Sequence, residues 1–353
     1  MNSQALLKSI IQRIATGPDL SKDIAFEEAR DGMQAILRGE IDDVQSAIFL
    51  IALRMKRESM DENEGILAAI LLESDKQAVA VENLVDLGDP YSGYNRSIPV
   101  SSFLPPVLAE LGLPTVIHGL DSVSPKFGLT HRHINQALGL SVDHSTAEAK
   151  ARLENDAIGW SYIDQASYCS GLHDLVSLRD RIIKRTVINT VETLIAPLRG
   201  KTTHAILGYV HKPYPPIYAH LINASGMDTA LLVRGVEGGV IPSLRQKGLM
   251  VSYQGVEEKN RVDIEPKSLG IEQEMRAITF PEGLTAENDI EALAEYTVSL
   301  GKAALSGEKS LFYDGLVLSA SLVLWHTKRV KSLEEAAQMV REVLNSGKVL
   351  NRL

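Results

Sequence analysis

The stretch Asn83–Ser97, NLVDLGDPYSGYNRS, decides how the chain is to be read. Before it, the sequence is helical in rhythm. NLVDLG is instead a short apolar run that ends on glycine, and its kind recurs as PTVIHG (114–119), THAILGY (203–209) and TALLVRG (229–235). Segments of helix length separate these β-branched runs, which is the rhythm of a mainly parallel sheet with helices on its faces. The turn that follows, GDPYSGYNRS, stands where an α/β enzyme places a phosphate-binding loop. Such a loop closes backbone N–H groups on an anion and favours consecutive glycines. Here Asp89, Pro90, Tyr91 and Tyr94 crowd the turn, and Pro90 has no N–H to give.

Upstream, Leu6, Leu7, Ile10, Ile11 and Ile14 share one helical face, and Phe26, Ala29, Met33, Ile36 and Leu37 share another before Gly39 breaks the pattern. DDVQSAIFLIALRMKR (42–57) is apolar nearly all round, which predicts burial on more than one side, as at a helix-mediated dimer contact. Ser59 and Glu62 form a capping box for the next helix, 60–74. Downstream, VSSFLPPVLAELGL (100–113) supplies an intervening helix, and 252–271 reads as strand and loop on the sheet's far edge. Three further helical patterns cover 286–305, 311–326 and 332–345, the last opened by Ser332 with Glu335 and closed by Gly347. HKPYPPIYAH (211–220) reads as a stiff Pro-rich loop. The expected fold class is α/β: a small all-helical domain, 1–80, completed by about 165–195, and a large α/β domain, 83–164 and 196–353, with a mainly parallel central sheet flanked by helices.

A chain of 353 residues with 44% hydrophobic content can bury a large core. No apolar run approaches the roughly 18 to 20 residues that span a bilayer, and the amino terminus has no signal-peptide core, so a cytoplasmic protein without a membrane partner is expected. The single cysteine, Cys169, excludes an internal disulfide and reads as a small buried residue. Net charge is −9, which repels nucleic acid on average. The average hides an asymmetry, because residues 1–82 hold nine Lys and Arg against fifteen Asp and Glu, whereas 171–212 hold seven against three. Aromatic residues are only 5%, leaving few rings for stacking, so nucleic-acid binding would lean on charge.

Several segments together resemble the anthranilate phosphoribosyltransferase family. They are EEARDGMQAILRGEIDDVQSAIFLIALRMKRESMDENEGILAAI, which follows that family's dimer-forming helices, then VIHGLDSVSPKFGLTHRHINQALGL, LHDLVSLRDRIIKRTVIN and HAILGYVHKPYPPIYAHLINASGMDTALLVRGVEGG, within about residues 5–240. The resemblance implies a helical domain, a large α/β domain and a homodimer formed through the amino-terminal helices. It also implies displacement of pyrophosphate from phosphoribosyl pyrophosphate, which requires a glycine-rich phosphate loop, carboxylate-held magnesium and cationic or amide donors. Against that pattern, the family's G-T-G-G-D is reduced here to Gly88 and Asp89. Its K-H-G-N is replaced by Ile117, His118, Gly119 and Leu120, and its Asp-Glu magnesium pair falls within Gly239, Val240, Ile241 and Pro242, with Glu237 nearby but outside the matching position. Arg179 aligns with the arginine that contacts the anthranilate carboxylate, Ser122, Ser124 and Lys126 resemble the serine-rich phosphate segment, and His173 replaces a lysine.

Two main readings follow, beside a third in which the chain is a regulatory protein that senses a small phosphorylated metabolite. In the first, the chain resembles a divergent branch that keeps the fold, loses the phosphoribosyl pyrophosphate site and includes nucleic-acid-binding proteins. It would bind an anionic ligand, single- or double-stranded nucleic acid, through its basic stretch and the old cleft. In the second it remains a glycosyltransferase of the phosphoribosyl type with a changed acceptor. The anion candidates are Gly88, Asp89, Gly93, Asn95, Arg96, Ser97, His118, Gly119, Ser122, Ser124 and Lys126. The acceptor or nucleic-acid candidates are Arg132, His173, Arg179, Arg181, Lys184 and Arg185, with His131 and His133 as further phosphate contacts at a helix start. The alternative for the arginine-rich segment is a solvated helix face, partly neutralised by Asp174 and Asp180. No metal-ligand set is expected, no cofactor is implied by the first reading, and magnesium enters only with the second.

Overall fold

The computed structural model describes residues 2–17 and 19–353, leaving Met1 and Pro18 outside. Four helices come first: α1 (Ser3–Ile14), α2 (Phe26–Leu37), α3 (Asp43–Lys56) and α4 (Met60–Leu72). Asp42 caps α3 and Ser59 caps α4, each accepting from a backbone N–H of the first turn, and Glu62 closes the reciprocal half of the second cap. Gly65 lets α4 lie against the start of α2, where any Cβ would fall on the Phe26 carbonyl. The helices between 165 and 191 pack onto this bundle, with Leu172, Leu178 and Ile188 in the same buried cluster as Leu7, Phe49 and Ile66.

Nine strands follow. β1 (Gln77–Ala78) pairs only with β5 (Leu198–Arg199). The main sheet holds β2 (Asn83–Gly88), β3 (Thr115–Gly119), β4 (Trp160–Asp164), β6 (Thr202–Tyr209), β7 (Thr229–Arg234), β8 (Gly248–Gln254) and β9 (Glu257–Ile264). Its order is β4-β3-β2-β6-β7-β8-β9, parallel through β7 and antiparallel for the last two. Both faces are covered. Leu84, Val116 and Leu207 point to the helical-bundle side, and Val85, Leu87, Ile117 and Ile206 to the side packed by the helices Ile290–Leu305, Leu311–His326 and Leu333–Asn345.

The structure departs from the sequence reading at four places. β4 has no counterpart in that reading, 252–271 contains most of a hairpin rather than one strand, and 100–113 opens as a 3₁₀ turn before the helix Leu104–Glu110. The Pro-rich stretch is a helix, Tyr214–Ser225, because Pro215 and Pro216 lie in the first turn, where their missing N–H groups have no intrahelical partner to lose. Strand succession runs from β2 outward through β3 to β4 on one side and from β6 outward on the other. The sequence order therefore reverses between β2 and β6, and a crevice opens beyond their carboxyl ends.

Candidate functional site

A cleft of about 680 Å³ lies at that reversal. Gly88 and Gly208 from the ends of β2 and β6 floor it, the 235–238 turn after β7 forms one wall, and the 185–193 segment with Arg54 of α3 forms the other. At Gly208 a Cβ would overlap the Gly239 carbonyl, so the 235–239 turn sits against bare backbone. Arg54, Arg96, Lys126, Arg185 and Arg276 line the cleft together with Glu192 and Glu237. Glu192 is occupied by Arg179, bidentate at 2.8 Å for each arm and buried. Among the described residues Arg96, Arg185 and Arg276 form no ion pair, so the wall carries an excess of unpaired positive charge.

The turn singled out in the sequence has its own anion. Glu237 Oε1 accepts from the N–H groups of Arg96 (3.1 Å) and Ser97 (2.9 Å) and from the Ser97 hydroxyl (2.8 Å), and Oε2 meets the Asn95 N–H at 3.4 Å and Lys126 Nζ at 3.3 Å. Lys126 also donates to the Gly93 and Glu237 carbonyls. Burial pushes the Glu237 carboxyl up, but Lys126 and the Ser97 and Asn95 donors outweigh it and hold it below the usual carboxylate range. Burial pulls the Lys126 ammonium down, with Glu237 opposing. Gly93, at φ 70°, supplies the left-handed step that turns these N–H groups inward.

Other candidates face the core. Asp89 is buried and accepts from the Tyr94 hydroxyl (2.9 Å), the Ser101 hydroxyl (2.5 Å), His131 Nε2–H (3.0 Å) and the Val240 N–H (2.8 Å). Burial raises its pKa, yet His131, Ser101 and the Val240 amide together hold it below the ordinary value. His118 lies fully buried, donating from Nε2 to Asp86 at 2.9 Å while the Tyr91 hydroxyl bonds Nδ1 at 2.5 Å. The order Ser102, His131, Asp89 mimics a nucleophilic triad, with Ser102 Oγ 2.7 Å from His131 Nδ1. Ser102 is buried and does not line the cleft, so it presents no hydroxyl to a substrate there.

Of the sequence candidates, Gly88, Arg96, Ser97, Lys126 and Arg185 line the cleft, and Gly93 and Asn95 belong to its turn. The others lie outside the cleft lining, and all but Arg181 and Lys184, which stay exposed, are corrections. Arg132 is drawn to Asp143 and Asp164, and His133 to Asp121 and Thr130, so the 131–133 run points into the fold rather than toward an anion. Arg179 is not on a basic face, because its guanidinium is buried on Glu192. Arg181 pairs with Asp43, and Lys184 is exposed. Gly119, Ser122, Ser124 and His173 line no part of the cleft, Ser124 donating its N–H to Asp180. Sequence reasoning missed Arg54 and Arg276, set Glu237 aside, and missed Tyr209, Tyr214 and Tyr218, which gather at the cleft with Tyr91 and His211. Only the YVHKPYPPIY composition hinted at that aromatic group.

The family model described as "Glycosyl transferase family, a/b domain" matches residues 92–350, and the model for that family's helical bundle domain matches 8–73. The chain belongs to this glycosyl transferase family. Similar proteins include an uncharacterized protein of Aquifex aeolicus, 27% identical over 96% of this chain and 98% of its own. The anthranilate phosphoribosyltransferase of Acetivibrio thermocellus is 26% identical over 99% and 95%. Among solved structures, the anthranilate phosphoribosyltransferase from Saccharomyces cerevisiae in complex with PRPP and Mg aligns with TM-score 0.77 at 18% identity, covering 99% of this chain and 96% of that one. The enzyme from Thermus thermophilus aligns at 0.74 with 21% identity over 98% and 96%. Both share the fold. No helix of the described residues is long and apolar enough to cross a membrane.

Magnesium held in this glycosyl transferase fold needs oxygen ligands, and the residues here do not fit one at the position the resemblance marks. Val240 and Ile241 are buried apolar side chains, and the Val240 N–H is engaged with Asp89. Among the described residues no group of three His, Cys, Asp or Glu is placed to hold a metal.

Proposed function

We propose that this glycosyl transferase family member no longer carries out magnesium-dependent phosphoribosyl transfer to anthranilate and instead binds single-stranded nucleic acid across its cleft. The observation that carries the reading is the cleft wall itself. Unpaired Arg96, Arg185 and Arg276 line it together with Tyr214 and Tyr218, and no carboxylate pair stands at the magnesium position. Four of the chain's ten tyrosines border this one cleft; Tyr91 and Tyr209 are buried, and Tyr214 and Tyr218, half-buried, are the two with surface left to offer a base. His211, Tyr214 and Tyr218 succeed one another with ring centroids 6.1 and 5.4 Å apart, a spacing that suits rings offering π-faces to bases. Arginines along such a path neutralise phosphates and release counterions without reading sequence.

The basic stretch contributes less than its composition suggests. Arg199 is engaged with the carbonyls of Ile195, Ala196 and Ser225, and Lys201 pairs with Glu82. The ligand path therefore runs over Arg54, Arg96, Arg185 and Arg276 rather than over 171–212 as a block.

Fluorescence anisotropy of a labelled single-stranded oligonucleotide, titrated at low and moderate salt, tests this. Binding should weaken steeply with salt. The double variant R54E/R185E should bind about tenfold more weakly and lower the slope of log K against log salt by about 1 to 2. Unchanged affinity in that variant removes the path. If wild-type protein fails to bind even at low salt while calorimetry shows it taking phosphoribosyl pyrophosphate with magnesium, the transferase reading replaces this one.

A further inference from the structure

Glu237 is the one cleft residue whose conformation works against its own backbone preference. Its φ of 54° lies in the left-handed region that favours glycine, and glycines flank it at 235, 238 and 239. What holds it there is the set of partners its carboxylate reaches from far along the sequence: the N–H groups of Arg96 and Ser97, the Ser97 hydroxyl and Lys126, with the Asn95 N–H at the edge. Successive inward amides, a hydroxyl and a half-buried ammonium are the donors that a phosphate monoester would use. A carboxylate tethered within the same molecule fills them at a high effective concentration, so an external phosphate must displace it.

We infer that Glu237 sets what the cleft rejects: its carboxylate stands in for a terminal phosphate group and closes the Asn95–Ser97 turn to phosphate monoesters. The inference rests on reading the cleft as an anion site and deepens that reading. Arg96, Arg185 and Arg276 stay open to a ligand that binds by its phosphodiester backbone, whereas a ligand anchored by a free phosphate finds its anchor already filled. Glu237 would thus be a specificity-determining residue, separating polymer binding from the capture of small phosphorylated molecules.

The test is isothermal titration calorimetry with inorganic phosphate on the full chain and three variants. In E237G the backbone keeps its left-handed turn and the donors are released, so phosphate should bind at least about tenfold more tightly than to wild type. In E237Q, which keeps the side-chain length, the gain should run the same way but be smaller, and adding K126M to E237G should abolish it. A folded E237G with no gain over wild type overturns the inference. Should E237G fail to fold, judged by circular dichroism and thermal melting, E237Q decides in its place, and a folded E237Q with no gain overturns the inference equally. Oligonucleotide anisotropy on the same proteins separates the two readings: a wild type that binds no oligonucleotide, alongside a phosphate gain in E237G, overturns the proposed function and leaves the closing of the turn to phosphate standing, whereas binding by the wild type and none by E237G overturns the inference.

Discussion

Asp89 ties the phosphate-loop position to three other segments, since its carboxylate accepts from Ser101, His131 and the Val240 amide as well as from Tyr94 of its own turn. Removing that acceptor strands several buried donors at once. Asp89→Ala should therefore lower the free energy of unfolding by about 3 to 5 kcal/mol, read from urea denaturation at pH 7. A change under about 1 kcal/mol contradicts the network, since that is the scale of a single surface contact. The carboxyl is held below its unfolded value, so its contribution is fully present above the unfolded pKa near 4 and fades as pH falls further. Residue identities at this site were legible in the sequence, and the erosion of the glycine loop and the Val240–Ile241 replacement were readable directly. Directions were not. Asp89 and His118 occupy the right strand ends yet face the core, and Arg179 turns to Glu192 rather than outward, because the register of a seven-residue helix against the next one decides it. Glu237 was visible as a letter, but its left-handed backbone, which swings it onto the 95–97 turn, follows from no local pattern.

At the scale of elements, one buried chain of hydrogen bonds crosses the amino-terminal side of the sheet. Asn83 Oδ1 on β2 accepts from His204 Nε2–H on β6, and His204 Nδ1 then accepts from the Thr229 hydroxyl on β7. Thr229 in turn accepts from His326 Nε2–H, whose Nδ1 accepts from Ser252 on β8. The order works in one direction with both imidazoles neutral, and a second proton on either would set donor against donor. Burial is the main cause that brings His204 to about 4 and His326 to about 3. Both values lie below the unfolded 6.5, so the unfolded chain takes up protons first. Stability should fall as pH drops from about 6.5 toward 4, by up to about 3 kcal/mol for each imidazole. Urea midpoints at pH 7, 5.5 and 4.5 would show it, and H326Q should flatten the curve; a flat wild-type curve across that window refutes the assignment. This window closes where that of Asp89 opens, so the two are separable. Strand positions were legible to within a residue or two because the runs are apolar and glycine-bounded. β4 was not, since WSYID follows Gly159 with too little length to mark a period, and the histidine chain depends on pairings between strands that no single segment encodes.

For the whole molecule the sequence carried the architecture, helical bundle and mainly parallel sheet together, while the notion of one basic face dissolved once Arg179, Arg199 and Lys201 each found a separate partner. What remains to be placed is the outward side of α3. Its inner residues, Phe49, Leu50 and Leu53, are buried, yet Val44, Ile48 and Met55 stand 68%, 41% and 76% exposed. Val44 and Ile48, with Ala47, Ile51, Leu178 and Ile182, border an apolar groove of about 390 Å³, edged by the Arg181–Asp43 pair. A helix face left apolar on both sides is costly to hydrate, and the chain's own copy is the occupant we propose, meeting it about a two-fold axis so that α3 packs on α3. In such an isologous contact every substitution acts twice. V44E/I48E would place four carboxylates in the seam and should raise the dissociation constant by at least about two orders of magnitude. Light scattering after size exclusion should give twice the 38.5 kDa chain mass for wild type and the single mass for the variant, which should still melt cooperatively because neither side chain serves the inner core, at a temperature lowered by the lost association. A wild-type protein that stays monomeric at about 100 µM, far above the dissociation constant of a stable dimer, excludes the arrangement. The cleft lies within one protomer, walled by its own Arg54 and Arg185, so the monomeric variant should keep its oligonucleotide affinity if cleft and seam are independent.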